Sequence, residues 1–136
     1  MIKPIMKDPM FLSVKSQPAT AADSQVAQDL IDTLLAHKNE CVGMAANMIG
    51  VHKNIIVFAN HGVPTIMYNP KIIEKSMPYE DEEGCLSLTG TRPVKRYDKI
   101  KVTYENLMFV PTVSEFSGYT AQIIQHEIDH CNGILV

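Results

Sequence analysis

The chain has 136 residues, 46% of them hydrophobic and 20% charged, a balance that supports a packed core and excludes the polar profile of disordered chains. Its length suits one domain, expected to span residues 1–136. A formal net charge of -3, with 12 Lys and Arg scattered along the chain, offers no field for a phosphate backbone, so no direct nucleic-acid site is expected.

At the N-terminus, Lys3, Pro4, Lys7, Asp8 and Pro9 interrupt the apolar residues. Neither a signal-peptide core nor a membrane span can be drawn there, and a cytoplasmic location is expected. The segment Thr20 to Lys38 reads as a helix, with Val26, Leu30, Ile31, Leu34 and Leu35 as its apolar stripe and Thr20 and Asp23 at its start. After the Gly-punctuated CVGMAANMIG, Ile55 to Ala59 has the pattern of a short buried strand, and Asn60, His61 and Gly62 mark a turn. Pro64 to Tyr68 and Lys71 to Lys75, joined by Asn69 and Pro70, read as a strand followed by a bent or second strand. The acidic run Glu80 to Glu83 closes on Gly84 and Cys85. Alternation at Ile100, Val102 and Tyr104 predicts another strand, a turn follows near Glu105 and Asn106, and a further strand is expected near Phe109 to Val113. A last helix opens at Ser117 and Gly118 and stops at Asn132 and Gly133. Strands grouped between two helices, with connections too short for crossovers, predict an α+β fold of antiparallel strands around the C-terminal helix.

That helix carries QHEIDH, residues 125–130. His126 and His130 project from one helical face, close enough to share an ion, and Glu127 lies beside them where it can reach a water on that ion. Catalytic centres usually take three protein ligands, so a third is needed. With Val136 the last residue, it is expected upstream. Cys85, after a Gly that frees the backbone for a tight approach, is the best candidate; Cys41 and Cys131 are weaker ones. An odd count of three cysteines also favours thiols or metal ligands over disulfides.

The blocks CVGMAANMIG, EEGCLSL and QHEIDH resemble, in order and spacing, the three signature motifs of peptide deformylases, and the similarity extends over nearly the whole chain. The resemblance implies a metallo-hydrolase that removes formyl from the N-terminal methionine of nascent polypeptides, with a possible transient ribosome contact. It implies Cys85, His126 and His130 as metal ligands, typically for Fe²⁺ with Zn²⁺, Ni²⁺ or Co²⁺ as substitutes. Glu127 would be the base, Leu86 would supply an oxyanion N–H, and Val42, Gly43 and Gly84 would pair with substrate through the backbone. The first motif departs from the family pattern: Cys41 stands where the first Gly is usual, and Met48 stands for the Gln that donates to the oxyanion. Spacing alone offers two candidate substitute donors, Asn47 and Gln122, whose plainer readings are a turn residue before a strand and an ordinary polar helix residue. Arg92 resembles the family's substrate-side Arg, at a spacing from Cys85 one residue shorter than the family's, which leaves a surface role equally open. The rival reading is a catalytically weakened, deformylase-like metal-binding protein with a binding or sensing role.

Overall fold

The computed structural model describes residues 1–136. A short helix α1 (Pro9–Leu12) precedes α2 (Ser24–Ala36), then come strands β1 (Gly43–Ala45), β2 (Ile55–Asn60), β3 (Val63–Cys85), β4 (Leu88–Glu105) and β5 (Pro111–Ser117), and helix α3 (Gly118–Cys131) ends the order. The strands form one antiparallel sheet in sequence order, β1-β2-β3-β4-β5. Thr20 and Asp23 make a reciprocal capping box on a 3₁₀ turn, Ala21–Asp23, that leads into α2. The stripe of α2 is shifted from expectation: Ala27, Leu30 and Leu34 are buried, whereas Leu35 is exposed.

Helices cover both faces of the sheet. Ile55, Val57, Ile66 and Tyr68 pack with the α2 residues Ala27, Leu30 and Leu34. Ile56, Phe58, Met67, Ile100 and Val102 pack with Ala121, Ile124 and Ile128 of α3. This two-sided burial is why β2 reads as an unbroken apolar run rather than an alternation. No helix is long and apolar enough to cross a membrane.

The two segments expected on either side of Asn69 are one strand. β3 runs from Val63 through the acidic run to Cys85, with register shifts between Tyr68 and Lys71 and between Ile72 and Glu74. Asn69, at φ 51°, makes the first irregularity, and its side chain both accepts from Ala19 N–H (2.8 Å) and donates to Ala19 C=O (3.0 Å). The last strand begins at Pro111 rather than Phe109, because Phe109 turns aside at φ 59° and packs its ring 4.9 Å from Tyr68. At the end of α3, Gly133 takes φ 73°; its N–H donates to His130 C=O and the Ile134 N–H to Asp129 C=O, closing the helix as the sequence predicts. The long β3–β4 hairpin thereby places Cys85, at its tip, over the middle of α3.

Candidate metal centre

Cys85, His126 and His130 converge, with one donor atom from each lying within 4.8 Å of the others. The Cys85 Sγ is 3.3 Å from His130 Nε2, and the two histidine Nε2 atoms are 3.2 Å apart. A tetrahedral centre with bonds of about 2.0–2.1 Å to nitrogen and about 2.3 Å to sulfur spaces such donors by about 3.3–3.6 Å. Both of these separations fall within a few tenths of an ångström of that spacing, so the residues fit a divalent cation. Cys41 and Cys131 do not join the group. Burial keeps both thiols protonated, pushing Cys41 up to about 11 and Cys131, which sits in the core, up to about 12.

His126 is oriented by a carboxylate. Its Nδ1 lies 2.8 Å from Glu83 Oε1, so Nδ1–H donates and Nε2 keeps its lone pair for the ion. Glu83 in turn accepts from Arg96 through Nε (3.0 Å) and Nη2 (2.6 Å), and Arg96 Nη1 donates to Asp129 at 2.7 Å. Burial alone would raise the Glu83 carboxyl, but donors from His126, Arg96 and Gln122 outweigh it and hold it at about 2. Burial likewise pulls His126 down, yet without a cation its bonds to Cys85 and Glu83 win and raise it to about 10, so a cation binding at Nε2 would displace the proton held there. His130, fully buried beside that charge, is pushed down to about 3.

Glu127 has the opposite environment. Its side chain is buried, its Oε1 meets no donor, and desolvation lifts the carboxyl to about 7, the range a proton-transfer group needs at neutral pH. Gly43 makes room for it. A Cβ there would stand 2.9 Å from Glu127 Oε2 and 2.8 Å from Ile123 Cγ2. A cleft of about 700 Å³ opens beside these groups, lined by Val42, Gly43, Gly84, Cys85, Leu86, His126 and Glu127 among others. Of the expected ligands, base and backbone groups named above, only His130 lies behind its wall. The Leu86 N–H makes no hydrogen bond within the chain, which leaves a free backbone donor next to Cys85.

Four expectations change. Asn47 is fully buried and donates to His130 C=O (2.9 Å) and Leu12 C=O (3.4 Å), so it braces α3 and offers no donor to the cleft. Gln122 spends its Nε2 on Glu83 and Asp81, each at 2.9 Å. Gly84 is not forced by a close approach, since a Cβ there would meet Gly90 O at an ordinary 3.6 Å. Arg92 bonds only Thr89 C=O (3.4 Å) and does not line the cleft, whereas Arg96, which sequence reasoning passed over, is 4% exposed at the centre of the network. Its signal was parity: Arg96 shares its strand face with Ile100 and Val102, where a buried cation needs acidic partners. Outside the cleft, His52 stacks on Phe11, with its Nε2 2.9 Å from Phe11 C=O.

The family model for polypeptide deformylase matches residues 2–136. The chain belongs to the polypeptide deformylase family. A peptide deformylase of Clostridium beijerinckii is 54% identical over 136 residues, 100% of both chains, and peptide deformylase 1 of Clostridium perfringens is 41% identical over 113 residues, 81% of this chain and 76% of that one. Among solved structures, the class I type b peptide deformylase of Acinetobacter baumannii in complex with Met-Ala-Ser superposes with a TM-score of 0.88 at 31% identity, covering 99% of this chain and 97% of that one. The Thermotoga maritima peptide deformylase gives the same TM-score, 0.88, at 30% identity. These likenesses support the expected α+β deformylase fold and a metal-dependent hydrolase of formylated nascent peptides. They favour the enzyme over the binding or sensing protein.

Proposed function

We propose that Cys85, His126 and His130 hold one divalent cation, Fe²⁺ in the native enzyme with Zn²⁺, Ni²⁺ or Co²⁺ as substitutes, and that Glu127 moves the protons of deformylation. The observation that carries this reading is the spacing of the three donor atoms with a buried carboxyl of raised proton affinity beside them. A cation bound there would supply Lewis acidity, acidifying a water and polarising the formyl oxygen.

The chain's own residues do the rest. Glu127 takes a proton from the attacking water and returns it to the departing amine nitrogen. The free Leu86 N–H donates to the formyl oxygen as it gains charge. β1 is an edge strand, paired only with β2, so the peptide is held as an added strand by backbone groups of Val42, Gly43 and Gly84. Formyl carries hydrogen where other acyl groups carry carbon, and a close wall beside the cation selects it sterically. That the A. baumannii relative binds Met-Ala-Ser supports a methionyl peptide in this cleft. Residues 1–136 act as one domain in the cytoplasm, with transient ribosome contact delivering the nascent chain.

The test is anaerobic preparation with Fe²⁺, metal quantification, and turnover of formyl-Met-Ala-Ser against the unformylated peptide. The expected result is one metal per chain and formate release from the formylated peptide alone. Stoichiometric metal without formate would defeat the proposal.

A further inference from the structure

Glu83 is a saturated carboxylate. An ionised carboxylate offers about four lone-pair directions. Here His126 Nδ1 and Arg96 Nη2 occupy Oε1, while Arg96 Nε and Gln122 Nε2 occupy Oε2. Gln122 stands one turn before His126 on α3, so two successive turns of that helix grip the same carboxylate on β3, two residues before Cys85. The second proton of the same amide goes to Asp81 Oδ2 at 2.9 Å. Asp81 and Glu83 share one face of β3, and the amide lies between two carboxylates that would otherwise oppose each other.

We propose that Gln122 is a positioning residue of the metal centre: by bridging Asp81 and Glu83 it fixes how α3 sits against the Cys85 strand, and so sets the spacing of the thiolate and the two imidazoles. It touches neither cation nor substrate in this role; it acts through Glu83 on His126. One contact to Glu83 orients His126 about the bond between them; a second contact a helical turn away, added to the Arg96–Asp129 bond, fixes the helix against the strand itself. The inference rests on the proposed Cys85, His126 and His130 ligand set.

The experiment compares the full chain with Gln122→Leu, Gln122→Glu and Gln122→Arg. Affinity for Co²⁺ is read by competition with a chromophoric chelator, and coordination by the absorption spectrum of the Co²⁺ form. Loss of a direct partner of a ligating histidine typically costs roughly 10- to 100-fold in metal affinity. Gln122 is one bond further out, so Gln122→Leu is expected to lose about three- to tenfold with an altered Co²⁺ spectrum. Gln122→Glu keeps the shape but adds a third carboxylate, and is expected to lose more. Gln122→Arg can donate to both Asp81 and Glu83, and is expected to restore affinity and spectrum. Equal affinity and identical spectra across the series would overturn the inference. Gln122 also lines the cleft, and a raised KM for formyl-Met-Ala-Ser at unchanged metal affinity would overturn the inference too, since its role would then lie with substrate. Failure of the unsubstituted chain to bind one Co²⁺ would overturn the ligand set itself, a result separable from the other two.

Discussion

At Met48, where the family motif has Gln, the side chain is 1% exposed and lines the cleft without any donor to offer. The two candidate substitutes are committed to His130 C=O and to Glu83, so the proposed mechanism leaves oxyanion stabilisation to the Leu86 N–H and the cation. Losing one such donor typically costs about 10²- to 10³-fold in rate. Met48→Gln is therefore expected to raise kcat on formyl-Met-Ala-Ser by up to about 10²-fold. It is also expected to cost about 1–3 kcal/mol of stability, because the buried amide has no partner until substrate arrives. Turnover and urea midpoint check the two halves, and an unchanged kcat would show that the remaining donors suffice. Gly43 argues in the reverse direction. Its missing Cβ is the space that Glu127 Oε2 occupies, 2.9 Å away. Gly43→Ala is expected to shift the carboxyl and lower kcat by about 10²-fold, the scale of a 1 Å misplacement, while metal content stays at the level of the unsubstituted chain. Full turnover would show that Glu127 has slack the structure does not suggest.

The elements differ in how plainly the sequence announced them. α3 was legible to its last residue, because an amphipathic stripe, the histidine spacing and the Gly133 stop all point the same way. The convergence of Cys85 with the two histidines was legible too, since a histidine pair calls for a third donor and chemistry favoured that thiol. The reach of the β3–β4 hairpin was not. From Glu74 to Glu80 the strand is largely exposed and held by pairing with β4, so it lacks the apolar alternation from which strands are read. With the hairpin hidden, the partners it carries were hidden as well: Glu83 passed as part of an acidic run, and Arg96 as one of the scattered Lys and Arg. Their ladder ties β3, β4 and α3 together, from Asp129 through Arg96 and Glu83 to His126. Arg96→Leu leaves Glu83 and Asp129 without their cation, and breaking a buried pair in this way typically costs about 3–5 kcal/mol. The variant is expected to lose stability on that scale in chemical denaturation and to release Zn²⁺ to a chelator faster than the unsubstituted chain. A loss below about 1 kcal/mol, the range of surface ion pairs, would mean the ladder is solvated in practice.

Across the whole molecule, two layers of helix on one sheet bury a pair of carboxyls with opposite proton affinities, and stability must follow pH accordingly. Glu83 is held at about 2, below the ordinary carboxylate range. A depressed value means the folded chain prefers the ion, so its contribution is complete above the ordinary range and disappears as pH falls from about 5 toward 2. Glu127 is lifted to about 7, which means the folded chain prefers the neutral acid. Above pH 7 its ionisation costs stability, and the cost vanishes as pH falls through 7 toward the ordinary carboxylate value. Two variants of the chelator-treated chain separate the opposing trends. Glu83→Gln is expected to be less stable than the unsubstituted chain at pH 6, with the gap closing between pH 5 and 2. Glu127→Gln is expected to be more stable at pH 8, by an amount on the order of 3 kcal/mol, with the gap closing as pH falls below 7. The sign of the second difference is the sharper observation. A carboxyl that destabilises its own fold at working pH is what the proposed proton-transfer role calls for, and thermal midpoints of Glu127→Gln below those of the unsubstituted chain at pH 8 would show instead that Glu127 is a structural acid.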